Sequence, residues 1–147
     1  MQNSFQTVRL INASPKKVWQ ALTDSNLVQQ YMFGSMIESN WEIGSSITFY
    51  IEKDGERVDV VFGKIEKLEP LNTFRHTLYP ASADYPNVPE NHIYVEYTLK
   101  ENNGKTELNI KQGGFKTVAE GEKRYNSVKS GWDAVLPELA KVAEVIQ

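Results

Sequence analysis

His76 is the side chain best suited to acid–base chemistry in this chain. It stands in Thr73-Phe74-Arg75-His76-Thr77-Leu78, where strand alternation puts Phe74, His76 and Leu78 on one face. Turned inward, an imidazole on that face accepts a proton or a ligand's hydrogen bond. A satisfied or edge histidine is the plainer reading, because no second catalytic group stands at a defined spacing from it. The other histidine, His92, follows a proline-rich stretch and reads as exposed. Arg75 and Glu96 are mid-strand charges. Turned inward they would need each other, since breaking a buried pair costs about 3–5 kcal/mol. Alternation puts them on the solvent face instead, Glu96 between Val95 and Tyr97 and Arg75 in phase with Thr73 and Thr77.

The second chemistry open to the chain is apolar recognition. Its 147 residues include 3 Trp, 7 Tyr and 6 Phe, and aromatic rings bring large area and, in Tyr and Trp, a polar handle. Trp41, Phe49, Phe62, Tyr97 and Trp132 are candidates to line a cavity. From periodicity alone a filled core explains the same set. Trp19 reads as core under the first helix, and Trp132 as an anchor of the last one. Much other chemistry is excluded. There is no cysteine, hence no disulfide, thiolate metal site or cysteine nucleophile, and two histidines give no support to a histidine-rich metal centre. No nucleophile elbow, Walker loop or dinucleotide fingerprint occurs. A net charge of -3 with mixed signs gives no support to nucleic-acid binding. Lys116, Lys123, Arg124, Lys129 and Lys141 alternate with acids and read as a solvated helix face.

These residues must be positioned by elements that the pattern predicts in order. Phe5–Asn12 reads as a strand. Ser14 caps a helix that starts at Pro15 and runs through Leu22, and Asp24 caps a second short one from Ser25 to Tyr31. Five strands follow: Ile47–Glu52, Val58–Leu68, Thr73–Tyr79, Ile93–Leu99 and Thr106–Gln112. Asp54-Gly55 and Asn103-Gly104 turn the chain, and Gly63 marks a bulge or a strong bend. Pro80–Asn91 holds three prolines and reads as a long loop over the site. After Gly113-Gly114 the chain is helical, with Thr117 and Glu120 as a capping box, a helix of about 28 residues or some 40 Å, and a kink at Pro137. The order defines an α+β fold. A six-stranded antiparallel sheet, strongly bent, buries its apolar face against one long helix. The whole chain, 1–147, reads as one domain.

Four segments carry a resemblance: Ile11-Asn12-Ala13-Ser14-Pro15-Lys16-Lys17-Val18-Trp19-Gln20-Ala21-Leu22-Thr23-Asp24; Phe62-Gly63-Lys64-Ile65 through Leu68-Glu69-Pro70; Gly104-Lys105-Thr106-Glu107-Leu108; and Gly131-Trp132 with Leu136 and Leu139. Together they resemble the START-like (SRPBCC, birch-pollen-allergen-like) superfamily, in particular its bacterial branch named after activators of heat-shock-protein ATPase. The resemblance implies a helix-grip fold with a cavity between sheet and helix. The aromatic content of the elements that should face each other then points to binding of a small hydrophobic or aromatic molecule there, with Met32, Trp41, Phe49, Phe62, His76, Tyr97, Trp132 and Leu136 as the expected ligand-binding residues. A cyclase- or hydrolase-like enzyme using polar cavity groups, and a chaperone-regulating interaction domain, are the competing functions. No catalytic residue, metal or cofactor is assigned. No leader or membrane span is apparent, so the expected location is cytoplasmic. Homodimerisation through strand edges or the helix is compatible with the pattern.

Overall fold

The computed structural model describes residues 2–146. The chain opens with β1 (Ser4–Ile11), followed by α1 (Pro15–Thr23) and the single turn α2 (Ser25–Val28). Both helix starts follow from local chemistry. The Ser14 side chain accepts from the Lys17 N–H and Pro15 needs no donor partner. Asp24 then accepts from Asn26 and Leu27 and caps α2. The second helix is shorter than the expected Ser25–Tyr31 and continues as turns to Gly34.

Six further strands follow: β2 (Met36–Ser39), β3 (Ser46–Lys53), β4 (Glu56–Glu69), β5 (Thr73–Pro80), β6 (Ile93–Asn102) and β7 (Lys105–Gly113). They form one curved antiparallel sheet in the order β1-β7-β6-β5-β4-β3-β2. The sheet therefore has seven strands, not six. The strand missed is β2, four residues of which only Ile37 is buried, too short to show a period. It is held in register by pairs such as Ile37 with Phe49. Two hairpins carry the expected turn chemistry, with positive φ at Asp54-Gly55 and Asn103-Gly104.

Register shifts fall opposite Phe49/Tyr50 and between Ile65 and Lys67, on either side of Gly63. Such shifts bend a strand and strengthen its twist. At Gly63 the β5 backbone approaches so closely that a Cβ would stand 1.9 Å from the Thr77 carbonyl oxygen.

The long helix α3 (Gly121–Glu144) crosses the sheet. Tyr125 packs edge-on against Phe5 of β1, Trp132 against Tyr97 of β6, and Arg124 reaches the Leu78 carbonyl of β5. It has 24 residues, not about 28, and is roughly 36 Å long. The expected capping box is absent. Thr117 Oγ1 donates to the Gly114 carbonyl, and Glu120 at the helix start is left-handed with no side-chain cap. Gly121 lies so near the Phe115 carbonyl that a Cβ there would be 1.8 Å from its oxygen, so residues 115–120 form a tight turn rather than a first helical turn. Helical structure runs through Pro137 to Glu144. Among the described residues no helix is long and apolar enough to cross a membrane.

Candidate functional site

A cavity of about 480 Å³ lies between the sheet and α3. The sheet contributes Phe49 and Ile51 of β3, Val60 and Val61 of β4, His76 and Leu78 of β5, Val95 and Tyr97 of β6, and Gln112 of β7. The helix contributes Val128, Gly131, Trp132 and Val135, and the connection before β2 contributes Met32, Phe33 and Ser35. Val60 and Val61 are adjacent yet both reach the wall. Strict alternation forbids this, and the register shift opposite Phe49/Tyr50 allows it.

Trp132, Tyr97 and His76 bring polar groups to this wall. Trp132 Nε1 donates to Gln112 Oε1 at 2.5 Å, which ties the helix to β7 and satisfies a buried indole. Tyr97 is buried against Phe74 and Trp132, and burial pushes its phenol pKa up, so it stays protonated. His76 is 1% exposed, with its ring 5.5 Å from that of Phe49 and 5.2 Å from that of Phe74. Its Nδ1 lies 2.8 Å from the Thr77 carbonyl, which can only accept, so Nδ1 carries the proton. Nε2 is then an acceptor, and it has no partner among the described residues. Burial pushes the His76 pKa down to about 4, against the opposing pull of the Thr77 carbonyl and of Glu66. The imidazole is neutral at pH 7.

Phe33 stands at the cavity mouth, 75% exposed and left-handed, with Gly34 also at positive φ beside it. Gly131 faces the cavity from inside α3. A Cβ there would meet nothing within 4 Å, so its missing side chain leaves open space rather than allowing a close approach.

Of the residues singled out from sequence, Met32, Phe49, His76, Tyr97 and Trp132 share this wall. Trp41, Phe62 and Leu136 do not. Trp41 follows β2 with positive φ and packs on Phe74, 5.6 Å between ring centres. Phe62 pairs with Thr48 and Tyr79 beyond the register shift, and Leu136 is buried in the core. Arg75 is ion-paired with Glu66 and Glu96 on the outer face and lies over Tyr94. His92 is not simply exposed: it is held between Asn87 Oδ1 and Thr77 Oγ1 and stacks on Tyr79. Gln112 and Gly131 escaped the sequence reading as site residues. The first is in phase with the inward Thr106, Leu108 and Ile110, which is the signal that points to it.

A curved antiparallel sheet gripping a C-terminal helix defines a helix-grip domain. The chain belongs to the family described as activator of Hsp90 ATPase homolog 1-like protein, whose model matches residues 12–144. No match is found among curated proteins. Among solved structures, the chain is similar to ChR145 from Cytophaga hutchinsonii, with 27% identity over 98% of this chain and 95% of that one, TM-score 0.76. It shares the fold of CalU16 from Micromonospora echinospora, at 19% identity over 97% of this chain and 76% of that one, TM-score 0.71. It also shares the fold of PFC0360w, an HSP90 activator from Plasmodium falciparum, at 14% identity over 96% of each chain, TM-score 0.72.

Proposed function

We propose that the chain binds a small hydrophobic or aromatic molecule in the space between sheet and α3. The observation that carries this reading is the cavity of about 480 Å³ with a mostly apolar wall, a volume within the range of roughly 300–1,000 Å³ typical of ligand pockets. Gly131 supports it, because glycine inside a helix costs about 1 kcal/mol relative to alanine and here gains no packing in return.

The test is calorimetric titration with 2-naphthaleneethanol, a neutral aromatic probe, against the parent chain and Gly131→Leu. A leucine at this position grows into the cavity from a site with no neighbour within 4 Å. The parent chain should bind the probe and Gly131→Leu should bind it at least tenfold more weakly while remaining folded. Failure of the parent chain to bind would refute the reading.

An enzymatic role for His76 requires a second polar side chain within hydrogen-bond reach. His76 Nε2 has no such partner among the described residues, so binding is the better-supported function.

A further inference from the structure

Arg124 is 8% exposed, in the first turn of α3, and no carboxylate of the described residues lies within ion-pair distance of it. Alternating charges along the helix predict a solvated face for it, which the structure corrects. Arg124 is in phase with Val128, Trp132, Val135 and Leu139, the stripe that packs on the sheet. Its guanidinium has five N–H donors. Nη1 donates to the Asn91 carbonyl at 2.6 Å, Nη2 approaches the Leu78 carbonyl at 3.4 Å, and the Tyr85 ring lies 5.1 Å away. Nε has no protein acceptor, yet it is not sealed off, since His76 Nε2 alone is both buried and unpartnered among the described residues.

These contacts are carbonyls and a ring face. They solvate the cation without neutralising it. A buried charge without an ion-pair partner is costly: the Glu120 carboxylate acts on this one from beyond ion-pair distance, burial outweighs it and lowers the Arg124 pKa, and the helix N-terminus adds positive potential of its own. It also lines a second cavity, of about 560 Å³, under the Pro80–Asn91 loop. That cavity shares Val61, Leu78, Gln112 and Val128 with the apolar one. A ligand lodged among the aromatic side chains therefore has Arg124 along an adjoining wall.

We infer that the ligand is an amphiphilic anion, an apolar or aromatic body carrying a carboxylate that pairs with Arg124. This rests on the binding function proposed above and specifies its ligand class. Asp84, Glu120 and Lys123 also line the second cavity, so its formal charge is balanced. Position decides the preference. Asp84, Glu120 and Lys123 are exposed and screened by water, whereas the buried Arg124 acts through a lower dielectric. A carboxylate offers guanidinium two acceptors in matching geometry.

The experiment compares 2-naphthaleneacetate with 2-naphthaleneethanol, which share a ring system and differ in head-group charge. By calorimetry at pH 7 the anion should bind about tenfold or more tightly than the alcohol, as a charge-assisted hydrogen bond provides, and Arg124→Gln should erase that preference while retaining affinity for the alcohol. In the unaltered chain, the Arg124 Nε–H NMR resonance should shift with the anion and not with the alcohol, which keeps the test open should the variant fail to fold. Equal affinities for the two probes, a preference that survives Arg124→Gln, or an unmoved Nε–H resonance would overturn the anion assignment and leave the cavity reading standing. Binding of neither probe would overturn both.

Discussion

Replacing His76 by phenylalanine should flatten the acid dependence of stability. The ordinary histidine pKa is 6.5, and in the folded chain burial lowers that of His76 to about 4. Below pH 6.5 the unfolded chain takes up a proton that the folded chain refuses, so stability falls as pH falls and the loss levels off below about pH 4. At 1.36 kcal/mol per pH unit, the full effect is about 3 kcal/mol, of which about 2 is lost between pH 7 and pH 5. Phenylalanine keeps an aromatic ring beside Phe49 and Phe74 and removes the titration. Urea denaturation followed by tryptophan fluorescence, on both proteins at pH 7 and pH 5, gives the comparison. The carboxylates are common to both, as is His92, whose partial burial and nearby Arg124 lower its pKa in the same direction, and they cancel in the difference. The parent chain should lose about 2 kcal/mol more than His76→Phe over that interval. If the two lose the same amount, His76 is not a buried neutral imidazole.

Two further substitutions probe the backbone that shapes the site. Gly63→Ala would place a Cβ 1.9 Å from the Thr77 carbonyl oxygen, so β4 and β5 must separate, and urea denaturation should register a loss of about 2–4 kcal/mol. Glu120→Gly should act in the opposite sense: Glu120 is left-handed with φ 52°, and relieving it, less the extra freedom of glycine in the unfolded chain, should raise stability by about 0.5–1 kcal/mol in the same assay.

The elements legible in the sequence are those with a repeating signal. Ile93, Val95, Tyr97 and Leu99 alternate and are buried in β6, and Thr106, Leu108, Ile110 and Gln112 do the same in β7. Ser14 and Asp24 announce helix starts because their side chains supply the missing acceptors. The features that stayed hidden depend on contacts distant in sequence. The β2 strand exists because β3 offers it an edge. The start of α3 is set by the fit of Gly121 under the Phe115 carbonyl, which overrides the local Thr117/Glu120 pattern. For the site the division is similar. His76 and Tyr97 follow from parity, and so does the absence of Phe62 from the wall, since it alternates with the wall residue Val61 and pairs with Thr48 between the buried Ile47 and Phe49. Arg124 was hidden behind its charge, although its spacing to Val128 and Trp132 is helical and points inward.

The distribution of unfavourable choices links these observations. A chain optimised only for stability would carry alanine at 131, an apolar side chain at 76 and a paired or solvated cation at 124. Instead a helix-interior glycine with nothing beside it, a buried imidazole with an unused acceptor and a buried guanidinium without an ion-pair partner all border two adjoining cavities. Independent packing defects would be scattered through the core. The core elsewhere is closed by apolar side chains such as Ile11, Val18, Leu108 and Ile110, each fully buried. Local rules are broken where a function needs them broken. A guest with an apolar body and an anionic head would fill the space beside Gly131 and neutralise Arg124, so one binding event would offset two of the three costs. Ligand-induced stabilisation should therefore be larger for the anionic probe than for the neutral one at equal free concentration of the two.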